Sequence, residues 1–173
     1  MLERDPELLE QLEGYELKPF RASAYRVAWE GRNPFQGSSG KRGRWNSPEG
    51  QFEILNMCLV SEGADAEFSA FWSLFEQRPE KPAQNHELEV ELQKVVELSA
   101  DDLARLGVDM AEFGSRNYSR TQEIADALNY LGCDGLIVPS PRHDGRNLVV
   151  FMQNVAKDCK MELKCSRAFK WPD

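Results

Sequence analysis

The chain has 173 residues, 41% hydrophobic and 29% charged, the proportions of a globular domain long enough to bury a core. Its 29 Asp and Glu outnumber 21 Lys and Arg, and a net charge of −8 argues against long nucleic acid as the main partner, because phosphate backbones are held by excess basic residues. No run of about 18 apolar residues is present, which excludes a transmembrane helix, and the acidic, amphipathic start is unlike a signal peptide.

Asp5-Pro6 opens a short helix, with Asp5 as N-cap, Leu8, Leu9 and Leu12 on one face and Gly14 at its end. "ASAYRVAW", residues 22–29, reads as a strand in which Tyr25, Val27 and Trp29 alternate against Arg26 and Ala28, so Arg26 points away from the Tyr25 face. Residues 31–50 are rich in Gly, Pro, Asn and Ser and predict a long loop, a feature that in compact domains is usually functional or disordered. "QFEILN" (51–56) is a short strand. "GADAEFSAFWSLFEQ" (63–77) is a helix with Phe68, Phe71 or Trp72, and Phe75 as its apolar stripe, and Glu67 beside that stripe near the first turns.

After Pro79 and Pro82, "HELEVELQKVVEL" (86–98) alternates Leu88, Val90 and Leu92 as a strand with one wet face. "SADDLARLG" and "SRTQEIADALNYLG" are short helices, the second with a Ser119–Gln122 capping box and a Gly132 stop. "GLIVPS" and "RNLVVFM" are apolar strands around a polar turn, and "CKMELKCSRAF" adds a last strand. Helices and strands are interspersed without a βαβ period, so the expected class is α+β: one compact domain over 1–173, with 1–15 as a helical lead-in and short helices flanking central mixed or antiparallel sheets.

The chain has no glycine-rich dinucleotide fingerprint, P-loop, nucleophile elbow or zinc-protease motif. Two histidines, His86 and His143, give little basis for imidazole catalysis or a His-rich metal site, and His143 lies in a polar turn. Cys58, Cys133, Cys159 and Cys165 are scattered without a close pair and read as buried thiols of a reducing, cytoplasmic compartment. Chemistry therefore falls to arginine, carboxylate and hydroxyl groups.

Basic residues concentrate early: from Lys18 to Arg44 there are seven, with Glu30 the one acid among them. Arg26 and Arg44 offer planar donor forks that can clamp a pyrophosphate, and that equally suit surface ion pairs. Glu67, between small alanines and an aromatic stripe, needs a cationic or hydroxylic partner if buried; a helix-start glutamate favoured by the dipole is the alternative. Pro139 interrupts its strand and leaves the Ser140 hydroxyl at a sheet end, as either a ligand contact or an ordinary turn serine.

In their order and spacing, "AYR…GKRGRWN…ADAEF…DGLIVPSPR…GRNLVVF" resemble the RES domain family, from about Phe20 to the last strand. The resemblance implies a fold similar to ADP-ribosyltransferases and the toxin half of a toxin–antitoxin pair with an Xre-type antitoxin. It also implies destruction of NAD+ by phosphorolysis or hydrolysis of the nicotinamide–ribose bond. NAD+ is then the substrate, inorganic phosphate a co-substrate in the phosphorolytic case, and no cofactor or metal is expected. Carried over residue by residue, the family arginine falls on Arg26, the glutamate on Glu67 and the serine on Ser140. Arg44 matches a second arginine, and Asn147 the asparagine of the next strand. Two departures stand out: Arg42 precedes Gly43 where the family has glycine, and Asn56 stands about eleven residues before Glu67 where many members carry tyrosine.

Nicotinamide leaves neutral from a pyridinium, so such a site needs a fixed negative charge near an oxocarbenium-like centre and rigid holding of the rest. The expected roles are Glu67 for the charge, Arg26 and Arg44 for the pyrophosphate and Ser140 for the ribose. Tyr25 or Trp45 would stack on a ring or pack in the core. The rival readings are ADP-ribose transfer to a macromolecule and a non-catalytic nucleotide-binding or interaction module. RNA binding through the aromatics and arginines of 18–46 is a third, disfavoured by the net charge.

Overall fold

A strand with one side against a core and the other against solvent or helices alternates its apolar residues, and that pattern organises the sheet. The computed structural model describes residues 3–172. Its strands are β1 (Lys18–Trp29), β2 (Ile54–Cys58), β3 (Ala83–Glu97), β4 (Gly135–Pro139), β5 (Arg146–Phe151) and β6 (Met161–Ala168). Its α-helices are α1 (Pro6–Glu13), α2 (Ser61–Trp72), α3 (Ala100–Arg105) and α4 (Ser119–Tyr130). The architecture is the expected α+β domain, a mixed sheet with several short helices.

Hydrogen-bonded neighbours run β1-β2-β5-β4-β3-β6, and β1 also pairs with β3, so five strands close into a ring with β6 added outside. The β3–β4 pairing is parallel and the others are antiparallel. The ring is pinned on one side by the long β1–β3 ladder and on the other by a single β1–β2 register point, Tyr25 opposite Cys58.

Two cores result. Inside the ring, Ala24, Leu88, Val90 and Leu92 meet Leu55, Met57, Leu148 and Val150. On the other face of β2, β5 and β4, Ile54, Val149, Phe151, Leu136 and Val138 pack against Leu8 and Leu12 of α1, Leu103 of α3 and Ile124 and Leu128 of α4. Each fully buried Leu, Ile or Phe contributes about 1.5–3 kcal/mol relative to exposure. Gly132, at φ +86°, makes the left-handed turn after α4 that a side chain would strain.

Several boundaries differ from the sequence reading. β1 starts earlier, at Lys18, because its first half pairs with the far end of β3. β2 is displaced toward Cys58, its ladder with β5 running from Ile54 to Cys58. Helix α2 begins at Ser61 and ends at Trp72, so Phe75 lies beyond it; Phe71 and Phe75 are about half exposed, and the packed stripe is Phe68 with Trp72. The capping box belongs to α3, where Ser99 and Asp102 cap each other; Ser119 is already helical and Gln122 is engaged elsewhere. Cys58 and Cys133 are buried as expected, but Cys165 is exposed, on outer strand β6.

Among the described residues, no helix is long and apolar enough to cross a membrane, and no group of three or more His, Cys, Asp and Glu could hold a metal ion.

Candidate active site

The site forms where α2 crosses the face shared by β1, β2 and β5. Small residues allow the approach: a Cβ on Gly63 would lie 3.2 Å from Cys58 Cβ. The start of α2 is anchored by buried Asn85 of β3, whose Nδ2 donates to Ser61 O (3.0 Å) and Asp65 Oδ1 (2.9 Å). Arg167 of β6 clamps the same two residues from outside, donating to Ser61 Oγ (2.8 Å) and Asp65 Oδ2 (2.6 Å). One turn past Gly63, Glu67 faces the ends of β4 and β5.

Glu67 is the centre. Its Oε1 accepts from Ser140 Oγ at 2.7 Å and from Asn147 Nδ2 at 3.0 Å. Ser140 follows Pro139 at the end of β4, and its Oγ also accepts from the Arg142 backbone N–H at 3.1 Å, so the serine proton is directed at the carboxylate. Among the described residues Glu67 Oε2 receives no hydrogen bond, and Asn147 Oδ1 is buried without a partner. A buried acceptor left open is costly unless a ligand donor meets it. Glu67 lies in the middle of α2, so its position is set by these donors and not by the helix dipole.

Asn56 and Cys58 alternate on β2 opposite Val149 and Asn147, placing exposed Asn56 on the Glu67 side of the sheet. Burial, followed by the charges of Glu67 and Asp65, pushes the Cys58 thiol up to about 12, which removes it as a nucleophile near neutrality.

Arg44 reaches the same region from the long loop. Helix α4 grips that loop: Gln122 Nε2 donates to Lys41 O (2.8 Å) and Gly43 O (2.9 Å), and Thr121 Oγ1 donates to Arg44 O (2.7 Å). The Asn46 side chain donates to Ser38 O at 3.2 Å and closes the turn. The Arg44 guanidinium lies between the rings of Phe113 (5.1 Å) and Tyr118 (4.9 Å) and donates to Ser115 O at 3.3 Å. Burial lowers its pKa; Tyr118 and Glu67 raise it and Arg142 lowers it further.

The structure thus brings Glu67, Ser140 and Asn147 into contact, sets Arg44 where it feels the Glu67 charge, and places Asn56 on the same face of the sheet, while Arg26 is on the other face. Tyr25 shares a sheet face with its partner Cys58, so the next residue, Arg26, projects from the opposite face. There it lies beside His86, its partner on β3, with burial holding its guanidinium below the usual arginine range. Arg26 therefore projects away from the face on which Glu67 lies. His86 Nδ1 meets Ser166 Oγ at 2.7 Å and its Nε2 is buried without a partner; burial, then Arg26, depresses its pKa.

Trp45 is 4% exposed and belongs to the core under α4, so it offers no stacking face. Tyr25 lies on the Glu67 face of the sheet, but its hydroxyl is committed to Glu87 Oε1 at 2.7 Å. The basic run from Lys18 to Arg44 does not form one patch either: Lys18 pairs with Glu16 and Arg21 with Glu89, both at the surface.

Sequence reasoning missed Phe113, Tyr118, Thr121, Gln122 and Arg142. For Gln122 the signal was present but resembled a capping box. A groove of about 450 Å³ between the end of α2 and Trp171 contains none of the Glu67 cluster.

A carboxylate fed by a serine and an asparagine thus lies within electrostatic reach of a partly buried arginine on a ring-closed α+β sheet. The RES domain family model matches residues 18–172, and the chain belongs to the RES domain family. Among solved structures, the M. tuberculosis MbcT–MbcA toxin–antitoxin complex contains a chain of similar fold, with TM-score 0.80 and 18% identity over 95% of this chain and 92% of that one. No curated protein matches.

Proposed function

We propose that this RES domain cleaves the nicotinamide–ribose bond of NAD+, with Glu67 at the reacting ribose, and that it acts as the toxin of a toxin–antitoxin pair. The observation that carries the reading is the Glu67 carboxylate, whose Oε1 is bonded to Ser140 and Asn147 while its Oε2 receives no hydrogen bond among the described residues. A carboxylate oxygen left without a donor suits a ribose hydroxyl. The fixed carboxylate charge favours an oxocarbenium-like transition state over the ground state. Neutral nicotinamide needs no general acid to depart, and His143, which lies against Gly63 of α2, has its Nδ1 engaged by the Gly145 N–H.

Ser140 and Asn147 hold Glu67 in place, and Arg44 carries part of the phosphate charge. Inorganic phosphate or water is the acceptor of the ADP-ribosyl group. A solved structure of similar fold is a toxin–antitoxin complex, which supports an antitoxin partner for this chain, of the Xre type that the family resemblance implies. Asn56 favours a second reading, a nucleotide-binding module without turnover, because it is exposed on the Glu67 side of the sheet and supplies no aromatic face.

The test is nicotinamide release from NAD+ by the purified protein, with and without inorganic phosphate. Phosphate-dependent release that yields a phosphorylated ADP-ribose means phosphorolysis, and phosphate-independent release means hydrolysis. NAD+ binding without release leaves the second reading in its place.

A further inference from the structure

Arg44 and Arg142 come from distant loops, yet both guanidinium groups lie against residues 113–118. Arg44 is held between Phe113 and Tyr118 and bonded to Ser115 O, while Arg142 Nη1 is 3.7 Å from where a Cβ on Gly114 would stand. Among the described residues, neither arginine is ion-paired to a carboxylate. Two like charges gathered at one loop repel, and the arrangement becomes favourable when a multi-oxygen anion lies between them. Guanidinium forks match phosphate oxygens in geometry as well as charge.

The Ser140 hydroxyl ties Arg142 to Glu67. The Arg142 backbone N–H donates to Ser140 Oγ, and Ser140 Oγ donates to Glu67 Oε1. The backbone start of the Arg142 side chain is thus set by the group that holds the carboxylate, and Arg142 is exposed.

We infer that Arg142, with Arg44, forms a phosphate-binding subsite beside Glu67, in the role that the sequence suggested for Arg26. The inference rests on the NAD+ reading for its ligand, which is either the pyrophosphate of the dinucleotide or free orthophosphate; both present the same oxygens. Arg142 is a substrate-binding residue in either case.

The experiment compares wild type, Arg142→Ala and Arg142→Lys. It measures the affinity of each for ADP-ribose and for inorganic phosphate by calorimetry, and KM and kcat for nicotinamide release. If the pair grips the pyrophosphate, Arg142→Ala weakens ADP-ribose binding and raises KM for NAD+ by about tenfold or more, with kcat nearly unchanged and partial recovery in Arg142→Lys. If it grips orthophosphate, only phosphate affinity and the KM for phosphate change. Unchanged affinity for both probes in Arg142→Ala, or no binding of either probe to wild type, overturns the subsite. A wild-type protein that releases no nicotinamide, but whose ADP-ribose affinity still falls in Arg142→Ala, overturns the cleavage reading and leaves the subsite standing.

Discussion

Ser140 and Glu67 are 73 positions apart and 2.7 Å from each other, with the hydroxyl donating to the carboxylate. Because Ser140 Oγ accepts from Arg142 N, its one proton has a fixed destination, and Asn147 Nδ2 supplies a second donor to the same oxygen. Glu67→Gln keeps the size of the side chain and removes the charge. On the proposed reading it lowers nicotinamide release by about 10²–10³-fold, the scale set by removing one electrostatic contact to a transition state, with little change in melting temperature. Wild-type turnover in this variant would remove Glu67 from the reaction.

Asn56 is exposed on the Glu67 side of the sheet, so Asn56→Tyr adds an aromatic face without disturbing the core. The expected result is an unchanged melting temperature and a KM for NAD+ lowered by about three- to tenfold, the value of one aromatic contact. A KM that stays put or rises would place the substrate elsewhere.

Gly43 has no room for a side chain. A Cβ there would fall 2.1 Å from Asn46 Oδ1, and Asn46 is buried with its amide committed to Ser38 O. Gly43→Ala should therefore cost about 1–3 kcal/mol by chemical denaturation, and should weaken ligand binding because Arg44 is the next residue. Gly40→Ala is the control, since a Cβ there meets only Ser38 Oγ, at 3.4 Å.

The thiols divide by burial. Desolvation pushes Cys58 up to about 12 and Cys133 up to about 11, and both are buried, whereas Cys165 is exposed on β6. Thiol titration of the folded protein at pH 8 should modify Cys165 first and leave Cys58 and Cys133 untouched until denaturant is added. Rapid modification of Cys58 in the native protein would contradict its position beneath α2.

His86 makes stability pH-dependent. Burial, reinforced by Arg26, depresses its folded pKa below the ordinary 6.5, so the folded state resists protonation more than the unfolded chain does. The contribution is complete above pH 6.5 and is lost as pH falls from 6.5 through the depressed folded value. Denaturation midpoints should fall across that window in wild type, and His86→Gln should flatten the slope. An identical slope in the variant would assign the effect to other groups.

Much of this was legible in the residues themselves. Strand β3 announces itself because Leu88, Val90 and Leu92 alternate against charged neighbours. Glu67 and Ser140 stand out because a carboxylate among alanines and a serine after a strand-ending proline are both locally unusual. Arg26 shows where such reading stops. Alternation gives its side of the strand, but which side becomes the cleft is decided by ring closure through β1–β3 pairing, between residues too far apart for a local pattern to register. The end of α2 was misread for a related reason: Phe71 and Phe75 continue the apolar spacing but are exposed, and spacing carries no information on what covers a side chain.

The order in which the site is assembled has a consequence for biosynthesis. Glu67 is made early, but its donors arrive only with Ser140 and Asn147, and the clamp on α2 from Arg167 arrives later still. A growing chain on the ribosome carries an unsupported glutamate until β4, β5 and the turn between them emerge. On the proposed reading, a chain that stops before Ser140 lacks both donors that hold the Glu67 carboxylate, and one that stops before Arg167 lacks the outer clamp on α2.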